Sequence, residues 1–131
     1  MPANTSRNAD AVSEIYRLAR RADHRALRER LHEDVTWDPP RENVWKRCSN
    51  ADEVVRTLLW RADANRLRPG EMIDVGDRVL VQLRGRRLER LGAKGFIPRL
   101  FQIVAFREGR VVSMRDYGRR EDALEAVGLK A

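Results

Sequence analysis

Residues 98–117 read Pro98-Arg99-Leu100-Phe101-Gln102-Ile103-Val104-Ala105-Phe106-Arg107-Glu108-Gly109-Arg110-Val111-Val112-Ser113-Met114-Arg115-Asp116-Tyr117. The runs on either side of Glu108-Gly109 are short, largely apolar and rich in β-branched and aromatic residues, which predicts two strands, 98–107 and 110–117, joined as a hairpin. A three-residue loop, Arg107-Glu108-Gly109, with its glycine in the left-handed position pairs Phe106 with Arg110. Counting outward, Val104 faces Val112, Gln102 faces Met114 and Leu100 faces Asp116. Leu100, Gln102, Val104, Phe106, Val112, Met114 and Asp116 therefore share one side of the sheet, because side chains alternate strictly along a strand. A carboxylate on an apolar sheet face is costly unless it serves something. The opposite face carries Phe101, Ile103, Ala105 and Val111, an apolar patch that predicts a homodimer.

Working outward, three helices precede the strands. Asn8 or Asp10 is placed to cap a first helix whose positions Ala11, Val12, Ile15, Leu18, Ala19 and Ala22 follow the helical period. Asp23 caps a second, with Leu27 and Leu31 one turn apart, and a strand Val35 to Asp38 follows until Pro39-Pro40 stops it. Ser49 or Asn50 starts a third helix, with a capping-box partner at Asp52 or Glu53 and an apolar stripe of Val54, Val55, Leu58, Leu59 and Ala62. After Pro69-Gly70 the period changes to strands, Glu71 to Val75 and Arg78 to Arg84, then the hairpin, then a short amphipathic helix. Helices segregated from a meander indicate an α+β fold, with helices packed on one side of an antiparallel sheet.

At 131 residues the chain is read as one domain, 1–131, with room for one core and one pocket. No apolar run approaches a membrane span and no charged-then-apolar leader opens the chain, so a soluble cytoplasmic protein is expected, with no membrane partner. Cys48 is the only cysteine, which excludes an intramolecular disulfide, and no Cys/His cluster has metal spacing. His24 and His32 are read as solvated helix residues. The net charge of +7 comes from 24 arginines against three lysines, a bias that a GC-rich coding sequence would also produce. The basic stretch Arg84 to Arg99 lacks the interleaved aromatics that single-strand binders stack on, so nucleic acid is not expected as a partner.

The order of elements, together with Asp34-Val35-Thr36-Trp37-Asp38-Pro39 and the run Met114 to Leu124, resembles the SnoaL-like branch of the nuclear transport factor 2-like superfamily over nearly the whole chain. That resemblance implies a curved antiparallel sheet wrapped around the N-terminal helices as a cone with an internal pocket, a cystatin-like α+β roll, usually dimeric. The superfamily includes ketosteroid isomerases, polyketide cyclases, limonene epoxide hydrolases, dehydratases and pockets without known chemistry, so the fold does not settle function. By resemblance to the ketosteroid isomerases, Tyr16 stands at their hydrogen-bonding tyrosine, Gln102 at their protonated aspartic acid, and Asp38 at their general base. Strand alternation puts Trp37 and Asp38 on opposite faces, so Asp38 reaches the pocket only through a bulge or a strand end. By resemblance to limonene epoxide hydrolases, Asp116 matches a water-activating carboxylate. Leu83 and Gly85, however, stand where those enzymes have an arginine and an aspartate.

Two readings follow. The first is a cofactor-independent isomerase, cyclase or dehydratase acting on a small hydrophobic carbonyl compound, with Asp116 or Asp38 as base and Tyr16 and Gln102 as donors. Trp37, Trp45 and Trp60, with Val79, Val81, Leu83, Leu100, Val104, Phe106 and Met114, would line the pocket. The second is a non-catalytic ligand-binding or dimerisation module on the same fold. Each polar residue also has a structural reading: Asp116 as a carboxylate paired with arginine, Tyr16 as a core tyrosine with a satisfied hydroxyl.

Overall fold

The computed structural model describes residues 7–40, 46–65, 67–85 and 100–129. Its elements run α1 (Arg7–Arg20), α2 (His24–Glu29), β1 (Leu31–Asp38), α3 (Ala51–Asn65), β2 (Arg68–Val75), β3 (Arg78–Arg84), β4 (Leu100–Arg107), β5 (Arg110–Tyr117) and α4 (Arg120–Ala126). The five strands form one curved, unclosed sheet in the order β1-β5-β4-β3-β2, giving an α+β fold. Trp45 and the basic run from 86 to 99 lie outside the described residues. Among the described residues no helix is long and apolar enough to cross a membrane.

Local chemistry starts the helices where the sequence indicates. The Asp23 carboxylate accepts from the backbone N–H of Ala26 at 3.1 Å and so caps α2. Asn50 accepts from the N–H of Glu53, whose own carboxylate reaches back to the N–H of Ser49, which is the anticipated capping box moved out by one residue. The first helix begins earlier than expected, at Arg7, so Asn8 is inside it and donates instead to the carbonyl of Gly76 at 3.0 Å. α2 is also shorter than the leucine spacing suggests: it ends at Glu29, and Leu31 opens β1.

The expectation of an antiparallel sheet holds for four strands and fails for the first. β2, β3, β4 and β5 pair antiparallel, whereas β1 lies parallel to β5, with Thr36, Trp37 and Asp38 beside Ser113, Met114 and Arg115. β1 lies at one edge of the sheet and the chain passes through α3 to β2 at the other edge, so no hairpin joins β1 to β5 or constrains their relative direction. Its outer edge is closed by a bridge between Trp37 and Cys48, with backbone bonds of 3.0 and 2.9 Å.

The central hairpin differs in register from the sequence reading and agrees with it in faces. Glu108 and Gly109 both have positive φ, 53° and 81°, so the loop is a two-residue turn closed by Arg107 and Arg110. Alone, that turn would put Met114 and Asp116 on the outer face. An irregularity next to Ala105 and Phe106 adds Val112 as an unpaired residue on β5, and pairing resumes with Ala105 opposite Ser113. Val104 therefore faces Met114 and Gln102 faces Asp116, two residues away from the expected partners and on the expected side. Val111, expected outside, packs inside opposite Phe106, and Val112 is the displaced residue.

The sheet has two differently covered faces. On the inner face Val79, Val81, Leu83, Leu100, Val104, Phe106 and Met114 pack with Val12, Ile15, Tyr16 and Ala19 of α1 and Val54 and Leu58 of α3 in the main core. On the outer face Phe101 and Ile103, 5% and 7% exposed, pack with Leu80 and with Ala123, Leu124 and Val127 at the C-terminal helix. α4 ends at Ala126, and Gly128 just beyond it has a φ of 81° that lets Leu129 bond back to Leu124 at 2.8 Å and closes the helix. The outer patch that suggested a dimer is thus substantially covered by the chain itself.

Candidate functional site

Four polar side chains from four elements meet on the inner face. Tyr16 lies on the buried side of α1 with Val12, Ile15 and Ala19, one helical turn from neighbours on either side. Gln102 and Asp116 are directly opposite each other on β4 and β5, the cross-strand position whose side chains touch. Trp37, on β1, sits beside Met114 of β5 and turns its ring inward. All four are almost fully buried: Gln102 is 0%, Tyr16 1%, Trp37 2% and Asp116 2% exposed.

They form one hydrogen-bonded chain. The Tyr16 hydroxyl donates to Oε1 of Gln102 at 2.9 Å, and Nε2 of Gln102 donates to Oδ1 of Asp116 at 2.9 Å. The Trp37 indole Nε1 donates to the other carboxylate oxygen, Oδ2, also at 2.9 Å. Each of Tyr16, Trp37 and Asp116 takes part in at least one further interaction. A carboxylate withdrawn from water loses much solvation energy, and these amide and indole donors replace part of it. The carboxyl group is thereby held at a fixed place and orientation against an apolar wall, an arrangement suited to acid/base chemistry.

The other candidates are placed differently. Asp38 is turned away from Trp37, as alternation requires, and its Oδ1 accepts from Arg47 Nε at 2.6 Å in a solvent-facing ion pair. The bridge between Trp37 and Cys48 brings Arg47 to that position. No bulge turns Asp38 inward, so the structure does not bring it to the other three polar candidates. Trp60 is 58% exposed on α3, apart from the inner face. The seven apolar positions expected to line a pocket are all on the inner face and buried in the main core.

Trp37 was read from sequence as a wall and is found as a donor. The signal was available: a tryptophan buried by alternation still has an indole N–H that needs an acceptor. Also unanticipated is a recess of about 310 Å³ at the end of β5, lined by Pro39, Pro40, Arg115, Asp116, Tyr117, Gly118 and Asp122. At its rim the Arg115 guanidinium lies 6.0 Å from the centre of the Tyr117 ring.

No protein-family model matches this sequence, and no curated protein matches it either. Solved structures do match. A nuclear transport factor 2-like protein of unknown function from Burkholderia pseudomallei K96243 aligns with 94% of this chain and 98% of its own, at 21% identity and a TM-score of 0.60. A protein from Jannaschia sp. CCS1, assigned as a SnoaL-like polyketide cyclase, aligns over 86% of this chain and 85% of its own, at 15% identity and a TM-score of 0.62. TerC, co-crystallised with polyporic acid, aligns over 93% of this chain and 98% of its own, at 19% identity and a TM-score of 0.61. The chain therefore has the nuclear transport factor 2-like fold that the SnoaL-like proteins share. At these identities the likeness extends to the fold alone.

Proposed function

We propose that this chain is a small-molecule pocket protein of the SnoaL-like kind, and that Asp116 moves a proton on a small hydrophobic carbonyl compound without a cofactor. The carrying observation is that Tyr16, Gln102 and Trp37 all lead, by direct or relayed donation, to the Asp116 carboxylate inside an otherwise apolar face. A base next to a carbon acid abstracts its proton most readily when it is fixed in place and shielded from water. TerC, on the same fold, was co-crystallised with polyporic acid, which supports an organic ligand for this fold. A cytoplasmic, homodimeric protein remains part of the proposal.

Exchange of α-protons for deuterium, followed by proton NMR over a panel of cyclic ketones and enones, tests it directly. The wild-type protein is expected to accelerate exchange on at least one compound, and Asp116→Asn to melt cooperatively while losing about 100-fold of that rate. Equal rates in the two proteins would remove Asp116 from the chemistry. A second reading, a non-catalytic ligand-binding or dimerisation module, draws on the near-complete burial of all four polar side chains and their bonds to one another. Its mark is a compound that binds, quenching tryptophan fluorescence, with no exchange.

A further inference from the structure

The direction of the hydrogen-bonded chain follows from the chemistry of its members. With Asp116 taken as the accepting carboxylate of the proposed function, the side of Gln102 facing it is its NH2 group. The amide carbonyl then points to Tyr16, which satisfies it as a donor. Turning the amide over would set two acceptors against each other at Asp116, whereas the Tyr16 hydroxyl, which can donate or accept, meets either orientation. The contact joins α1 to the middle of the sheet across 86 residues of sequence, so the seating of the helix and the orientation of the carboxylate depend on one another.

We infer that Tyr16 is a positioning residue that acts on Asp116 through Gln102, and is not a donor to the ligand. This departs from the role that the ketosteroid isomerase resemblance implies for Tyr16. It rests on the proposed function only in treating Asp116 as the working group. Tyr16→Phe leaves the buried Gln102 carbonyl without this donor and loosens the hold on the amide and, through it, on the carboxylate. Gln102→Leu removes the relay, and Tyr16 then has no route to the carboxylate along this chain.

The test is a double-mutant cycle read by NMR on the full-length protein labelled with carbon-13 and nitrogen-15. The Gln102 side-chain amide, the Asp116 carboxyl carbon and the Trp37 indole N–H are followed in wild type, Tyr16→Phe, Gln102→Leu and the double variant. Tyr16→Phe is expected to shift the Gln102 amide and the Asp116 carboxyl carbon in the wild-type background and to leave the carboxyl carbon unmoved when Leu occupies position 102. The same displacement in both backgrounds, or none in either, overturns the relay. If Tyr16→Phe fails to fold, incorporating 3-fluorotyrosine keeps the shape and strengthens the donor, and the Gln102 amide should then move; an unmoved amide counts against the proposal. These readouts are independent of turnover. A wild-type protein that exchanges no α-protons but shows the coupling loses the catalytic reading and keeps the relay, whereas Asp116-dependent exchange without the coupling does the reverse.

Discussion

The inner and outer faces of the β4–β5 hairpin are built from alternate residues of the same two strands and treat charge in opposite ways. Inside, Asp116 is buried and receives neutral donors from Gln102 and Trp37. Outside, Asp38 and Arg115 are neighbours in the β1–β5 register, and Asp38 pairs with the exposed guanidinium of Arg47. The apolar part of the outer face is small and covered by α4, whereas the inner face carries the main core. The contrast shows that the environment of a carboxylate, set by which way one residue points, decides whether it can do chemistry. Asp116 is buried with fixed amide and indole donors, whereas Asp38 shares its counter-ion with solvent in a pair that contributes little.

Exchanging the faces is the strongest way to break this contrast. Deleting Arg115 moves Asp116 to the outer position and Tyr117 to the inner one, so no cooperative thermal transition is expected by circular dichroism. Deleting Val112 removes only the unpaired residue and leaves Met114 and Asp116 inside, so a cooperative transition and a dispersed NMR spectrum should remain. The reverse pattern would show that the register described here is wrong.

A smaller effect separates the two carboxylates. Asp116→Ala leaves the Trp37 and Gln102 donors buried without this acceptor and should cost about 3 kcal/mol in urea unfolding. Asp38→Ala removes a solvent-facing pair and should cost less than about 1 kcal/mol, with the difference shrinking further in salt. Equal costs would erase the distinction between the faces. Smaller again, Leu124→Ala should cost about 2 kcal/mol and uncover Phe101 and Ile103. Sedimentation of that variant is expected to show more association than wild type at equal concentration, and unchanged sedimentation would mean that α4 is not what shields the outer patch.

Much of this molecule is written locally in the sequence. The helix starts at Asp23 and Asn50 follow from side chains that bond the adjacent backbone, and the inward side of α1 follows from the spacing of Val12, Ile15 and Ala19. That Gln102 and Asp116 share a face was also legible, since moving the register by two residues leaves both on their original side, and only Val111 and Val112 next to the bulge change places. Their direct contact was not. It depends on a two-residue turn with Glu108 in the left-handed region and on the added residue Val112, two backbone departures that restore the parity of the strand only together. The parallel placement of β1 beside β5, and with it the Trp37 indole on Asp116, belongs to the packed arrangement of the sheet, whereas the outward turn of Asp38 already follows from alternation beside Trp37. Alternation along a strand is a property of neighbouring peptide units, so the sequence alone determined which residues of a regular strand share a side; where a bulge breaks that alternation and which strand lies beside which are properties of the packed core, and only the tertiary structure decided them.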